Sequence, residues 1–410
     1  MKKIFGFLVI TLLSIVLFAC SPTPPEELDQ VSLTVWASEL DQDLTTDLVE
    51  AFKEEYADEA VFTIEIGPVS EATTADQVLA DLEAAADVFA FASDQFERLH
   101  DAGALQEVQE NTAAIIAANG GAQSGSILAA TKNNKLYAYP MTADNGYFLF
   151  YDASVYTEDD VKTLDGILEA AEDDGSKFTI QINNGWYLYS FFGGAGLPVS
   201  YDGTVNSVDW DNATGVKVAQ AILAMNAHPG YINATDAEFS AGVTAGTISA
   251  GVNGVWNATV AEAAWGENYA ATKLPTYTLD GQQVQMSSFS GYKFIGVNQT
   301  TDEPYWAMKL SEFLTNEESQ ITRFEERGLG PSNVNAAASP EVQANPAMAA
   351  LAQQSAFAVV QNVGGNFWAP AESFGNQIVD ATLTVSSTTA QIQAALTAMV
   401  QGIEAAPATE

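Results

Sequence analysis

The chain has one cysteine, Cys20, so it can build neither an internal disulfide nor a cysteine-rich metal site. Two histidines, His100 and His228, leave little for imidazole catalysis or zinc. Cations are scarce: 14 Lys+Arg stand against 53 Asp+Glu, a formal charge of −39. No face can gather the basic residues that neutralise phosphates, which argues against nucleic acid and polyanionic substrates as partners. There is no G-x-x-x-x-G-K-[ST] phosphate loop, so nothing in the chain reads as an ATPase. No apolar run reaches the roughly 20 residues of a membrane-spanning helix. What is present is a 47% hydrophobic, 16% charged chain of 410 residues. That composition excludes global disorder, and the length suits two domains of roughly 150–200 residues.

Met1-Lys2-Lys3 leads into an apolar stretch from Ile4 to Phe18. It is too short to span a membrane and reads as the core of a secretory leader over 1–20. The leader ends Leu17-Phe18-Ala19-Cys20, which resembles the bacterial lipobox. There the cysteine is lipidated and becomes the first residue. Residues 21–30 open with Ser21-Pro22-Thr23-Pro24-Pro25, a stiff polar tether. The expectation is a protein held by a lipid at the outer face of the cell membrane without crossing it. The acidic surface suits a soluble monomer.

Beyond the tether, strands alternate with helices. Val31 to Trp36 alternates apolar and polar residues, as a strand does. Leu44, Leu48, Phe52 and Tyr56 form one helical stripe. Val61–Ile66 and Asp87–Phe91 read as further strands, with a helix over 76–86 between them. This β-α-β-α-β order implies a parallel, doubly wound sheet. Lys135–Tyr139 and Tyr147–Tyr151 flank a Pro140 turn. Asp211 reads as the N-cap of a helix carrying Val218, Ile222 and Met225. Tyr292–Asn298 is a strand, and helices carrying Trp306, Leu310, Phe313 and Ile392, Leu396, Met399, Ile403 follow. There is no internal repeat.

Eight short pieces, in order, resemble the extracellular solute-binding proteins of ABC sugar importers, the maltose/maltodextrin-binding group in particular. They are Leu33-Thr34-Val35-Trp36, the run from Ala86 to Phe96, Gly103-Ala104-Leu105, and Lys135-Leu136-Tyr137-Ala138-Tyr139-Pro140. Tyr151-Asp152, the run from Val208 to Ala213, the run from Ala250 to Trp256, and Lys273-Leu274-Pro275 complete the set. The likeness covers about residues 31–400. It implies an α/β, two-lobed periplasmic-binding-protein-like fold, each lobe a doubly wound sheet, with the ligand cleft between lobes. The lobes implied are 31–143 plus 290–333 and 144–289 plus 334–405. It implies a receptor, not an enzyme, that captures a maltodextrin-like oligosaccharide by hinge closure. The receptor would deliver the sugar to the membrane subunits of an ABC permease, with no cofactor, no catalytic residue and no metal.

Carried over residue by residue, the resemblance marks Trp36, Glu39, Asp41, Phe91, Asp94, Asp144, Trp186, Tyr187, Trp256 and Trp368 as sugar-binding. Pro140 to Tyr151 is one residue longer than the commonest form, so Asn145 joins Asp144. Gln95 replaces a common arginine, and Asn183-Asn184-Gly185-Trp186 lacks the usual carboxylate. The chemistry of the residues agrees. A neutral sugar offers apolar C–H faces to aromatic rings and hydroxyls to carboxylates. Trp36, Trp186, Trp256 and Trp368 fall at strand ends or in loops, where α/β proteins bind ligands. Each also has an ordinary role open to it: the tryptophans as core, Asp94 as a helix cap, Asp144-Asn145-Gly146 as a turn. Asp209-x-Asp211 begins a calcium-loop pattern that Ala213 and Thr214 break. Two other function classes share these features. Glycoside hydrolases also set carboxylates beside aromatics, and a tethered receptor also suits a non-sugar solute such as a peptide or chelate.

Overall fold

The computed structural model describes residues 28–406. The expected leader and Cys20 lie outside the described residues. Two large sheets organise the chain. Their strands are Asp29–Ala37 (β1), Ala60–Pro68 (β2), Val88–Ala92 (β3), Tyr139–Gly146 (β4), Phe148–Asp152 (β5), Lys177–Thr179 (β6), Tyr231–Ile232 (β7), Ile248–Asn253 (β8), Tyr269–Thr272 (β9), Ser288–Val297 (β10) and Ala358–Val360 (β11).

The first sheet runs β11-β10-β3-β1-β2, with β4 also paired to β10. The expected parallel unit is present: β1 pairs in parallel with both β2 and β3. All five residues of β3, Val-Phe-Ala-Phe-Ala, are buried: the strand lies inside the sheet between β10 and β1, with both of its faces covered. The helix Gln42–Glu55 buries Leu44, Leu48 and Phe52 on this sheet, and the helix Pro304–Leu314 adds Trp306 and Leu310.

The second sheet runs β7-β6-β8-β5-β9. Its strand β5, Phe-Leu-Phe-Tyr-Asp, is apolar on both faces and serves two cores. Phe148 and Phe150 pack with Phe239 and Val255 on one side; Leu149 and Tyr151 join Phe178, Ile222 and Leu396 on the other. The chain passes from the first sheet to the second at Tyr147, between β4 and β5. It returns between β9 and β10. After Arg327 it crosses again, since Ala347 and Ala350 pack against Phe148 and Phe150.

Several local expectations are corrected. The helix expected over 76–86 is Thr74–Ala80; Asp81 is extended at its end and its side chain accepts from Ala84 N at 3.3 Å, a turn that stops the helix. Asp144-Asn145-Gly146 is not a turn but the end of β4, paired with β10 through Gly146–Ser290 and Asn145–Gly291. The helix Ala213–Asn226 is capped by Asn212, whose side chain accepts from Thr214 N and Gly215 N, and not by Asp211. Asp211 instead accepts from Thr397 Oγ1 at 2.9 Å.

Candidate functional site

The carboxyl ends of β1, β3 and β4 and the segments just after β1 and β3 carry the first lobe's candidate residues. Near the end of β1, Trp36 is half-buried against Gly67, and Glu39 beyond it is exposed. Asp41 is buried and held by Arg327 Nε at 2.9 Å and Arg323 Nη1 at 3.9 Å. After β3, Gln95 is buried and ties two loops: its Oε1 accepts from Ala75 N at 2.7 Å and its Nε2 donates to Glu71 O. That leaves Asp94 half-buried, with no hydrogen bond from another residue among the described ones. Burial pushes its carboxyl up to about 6. On β4, Asp144 is 1% exposed. One of its oxygens accepts from Gly330 N, while the other, Oδ1, is buried without a partner. Burial raises its pKa, and Lys293 opposes that shift.

The second lobe supplies an aromatic platform. Asn184 caps the helix Gly185–Gly194 by accepting from Trp186 N, which sets Trp186 in the first turn. The Trp186 ring lies 5.7 Å from that of Trp256 at 31°, and 4.6 Å from that of Tyr147. Its Nε1 donates to Gln361 at 2.7 Å. Trp256 follows β8, and its Nε1 donates to Asp236 at 3.1 Å. Trp368 opens the helix Trp368–Val379 beside Gly185, its ring 5.0 Å from Phe367. Close approach fixes that glycine: a Cβ there would stand 3.0 Å from Ala371 and 3.2 Å from Phe367. All three tryptophans remain partly exposed. A sugar needs such partly exposed rings, and in Trp186 and Trp256 the indole nitrogen is fixed by a protein acceptor.

The family profile of bacterial extracellular solute-binding proteins matches residues 47–350. The chain belongs to that family. No curated protein matches the sequence. Among solved structures, a chain solved with acarbose is 29% identical, with a TM-score of 0.82, covering 92% of this chain and 99% of its own. The maltodextrin-binding protein MalE1 from L. casei BL23, without ligand, is 24% identical, with a TM-score of 0.74 over 92% of this chain and all of its own, 100%. The maltose/maltodextrin-binding domain MalE from Bdellovibrio bacteriovorus, bound to maltotriose, is 16% identical, with a TM-score of 0.76 over 91% and 99%. The two-lobed fold is therefore that of the solute-binding proteins.

In this solute-binding protein, Trp186, Tyr187 and Trp256 come together, and Trp368 lies against Gly185 at the start of the same helix as Trp186. Tyr187 stands behind the platform, 3% exposed, its hydroxyl 3.4 Å from Asp236 and 3.5 Å from Asn253. Asp144 is brought to the platform's side, since Lys293 lies over Trp256 at 5.4 Å and also beside Asp144. Asn145 is half-buried next to Gly291. Phe91 is not a cleft residue. It is 0% exposed in the first core, 5.7 Å from Phe294, because β3 is covered on both faces. Asp41 is committed to two arginines, and Glu39 points to solvent. Sequence reasoning missed Lys293, Glu71, Asp236 and Gln361. Lys293 carried a signal: it interrupts the buried alternate positions Phe289, Gly291, Ile295 and Val297 of β10. No group of three or more His, Cys, Asp or Glu among the described residues is placed to hold a metal.

Proposed function

We propose that this solute-binding protein is the sugar receptor of an ABC importer. It takes a maltodextrin-like oligosaccharide and delivers it to the permease's membrane subunits. The observation that carries the reading is the set of partly exposed Trp186, Trp256 and Trp368 in one lobe, with Asp94, bonded to no other described residue, at a strand end of the other. Sugar faces stack on the indoles, and hydroxyl protons go to Asp94, while the buried Asp144 supports the site from behind. The acarbose, maltodextrin and maltotriose relatives support the same ligand class. The protein binds its sugar without cleaving it. A lipid on Cys20 holds it outside the cell as a monomer, and residues 21–30 let it reach the permease. The lobes exchange near Tyr147, near residue 288 and after Arg327. Ligand bridging both lobes favours the closed form by its differential affinity alone.

The test is calorimetric titration with maltose, maltotriose and maltotetraose, with product analysis. Micromolar binding, roughly −8 kcal/mol, without hydrolysis is expected. Trp256→Ala should lose about 1.5–3 kcal/mol of it, the scale of burying a large side chain. Cleaved products would make the protein an enzyme. Failure to bind any of the three would move it to another solute.

A further inference from the structure

The cleft contains a cation that the proposed sugar contacts leave unused. Lys293 stands in the middle of β10, opposite Ala92 of β3 and Thr142 of β4. The β4–β10 register shifts on both sides of it. Such irregularities bend a strand and re-aim a side chain. The Lys293 ammonium reaches across to Trp256 in the other lobe, 5.4 Å from the ring centroid, within cation–π range.

The residue is only 8% exposed. Burial alone would lower its pKa, but Glu71, Asp144 and Asp41 outweigh that and hold it above the ordinary lysine value. It is therefore a cation at neutral pH. An ammonium carries three donors, and Nζ, unlike Glu71 Oε1 and Asp144 Oδ1, is not a fully buried atom and keeps access to solvent. The nearest approach of Glu71 Oε1 is 3.7 Å, an ion pair but too long for a hydrogen bond. Among the described residues, none accepts a hydrogen bond from Nζ. Glu71 Oε1 and Asp144 Oδ1 are themselves buried and unpartnered. If Lys293 served only to neutralise these two carboxylates, direct hydrogen bonds would be the cheapest arrangement. Instead the ammonium stands off both and lies over the indole.

We propose that Lys293 is a ligand-contacting, specificity-determining residue: its ammonium donates to oxygens of the sugar unit at Trp256, and Glu71 and Asp144 hold it in place. This rests on the sugar-receptor reading. The cation's countercharges are already present, so the ligand needs no charge. It needs acceptor oxygens at the edge of the face it lays on Trp256. An apolar or deoxygenated unit leaves the ammonium unmet and is rejected, as buried polar sites reject ligands that cannot pair with them.

The test compares Glu71→Gln with the double variant Glu71→Gln/Lys293→Met. The double variant removes one charge of each sign and keeps the buried cluster's balance. Maltotriose is titrated into both and into the parent, and ligand-free melting temperatures are measured. The double variant should bind about 10- to 100-fold more weakly than Glu71→Gln, the scale of a charge-assisted hydrogen bond, with little change in ligand-free melting. Equal affinity in the two variants, with the parent binding, overturns the role of Lys293 and leaves the receptor reading intact. A parent that binds no oligosaccharide overturns both. Should the double variant not fold, Lys293→Arg keeps the charge. Its planar fork cannot place a donor where the ammonium stood, and about a tenfold loss is expected. Parental affinity there overturns the proposal.

Discussion

At the residue scale, Asp94 has two effects of opposite sign. Its folded carboxyl titrates near 6 against an ordinary 3.8, because burial disfavours the charge. Below about 3.8 both folded and unfolded chains hold the proton, and the residue is neutral in the balance. Above about 6 both have lost it, and only the folded chain bears the burial cost. Stability from this residue therefore falls as pH rises through that window. Asp94→Asn should raise the ligand-free melting temperature at pH 7 by a few degrees, with the gain fading towards pH 4. Ligand binding runs the other way. The carboxylate is the better acceptor for sugar hydroxyls, so parental affinity should drop as pH falls below about 6. Titrations across this range in both proteins check it. A pH profile identical in Asp94→Asn would remove Asp94 from the cleft.

At the element scale, regular features were legible in the sequence and pair-dependent ones were not. The strand β1 and the stripe of Leu44, Leu48 and Phe52 follow from period, because each buries one face, while β3 follows from an unbroken apolar run buried on both faces. The tryptophan platform was readable, since Trp186, Trp256 and Trp368 sit where strands or helices begin or end. Phe91 was misplaced because an aromatic at a strand end looks the same whether it faces a cleft or a core. Lys293, Glu71, Arg323 and Asp41 come from segments up to hundreds of residues apart, and no local pattern announces their meeting. The Asn212 cap shows a one-residue ambiguity of the same kind. Asp211 and Asn212 both suit an N-cap, and only the backbone decides. Asn212→Ala should cost about 1 kcal/mol, the usual loss of a capping side chain. Gly215→Ala should cost far more, since its Cβ would stand 1.7 Å from Trp210 O. Denaturant titration of the two variants ranks them. An Asn212→Ala protein as stable as the parent would mean that the cap bonds are not what holds this helix start.

At the scale of the whole molecule, charge is divided between an evenly matched interior and an unbalanced surface. Buried Asp41, Glu71 and Asp144 face Lys293, Arg323 and Arg327, three of each sign. Most other cations are spent singly on exposed pairs, such as Arg98–Asp76, Lys132–Glu97 and Lys217–Asp280. Exposed pairs are worth about 0–1 kcal/mol each. The excess negative charge of the described residues is therefore at the surface, where it repels itself. Raising salt from about 0.01 M to about 1 M shortens the screening length from about 30 Å to about 3 Å. Repulsion among many like charges then weakens more than the few favourable pairs do. The melting temperature should climb with sodium chloride across this range. Affinity for a neutral oligosaccharide should move little, because the ligand carries no charge to screen and the buried cluster is balanced. Thermal melts and titrations over the same salt series check both. A melting temperature that is flat or falling in salt would mean that the surface pairs, not the net repulsion, dominate the electrostatics of the folded protein.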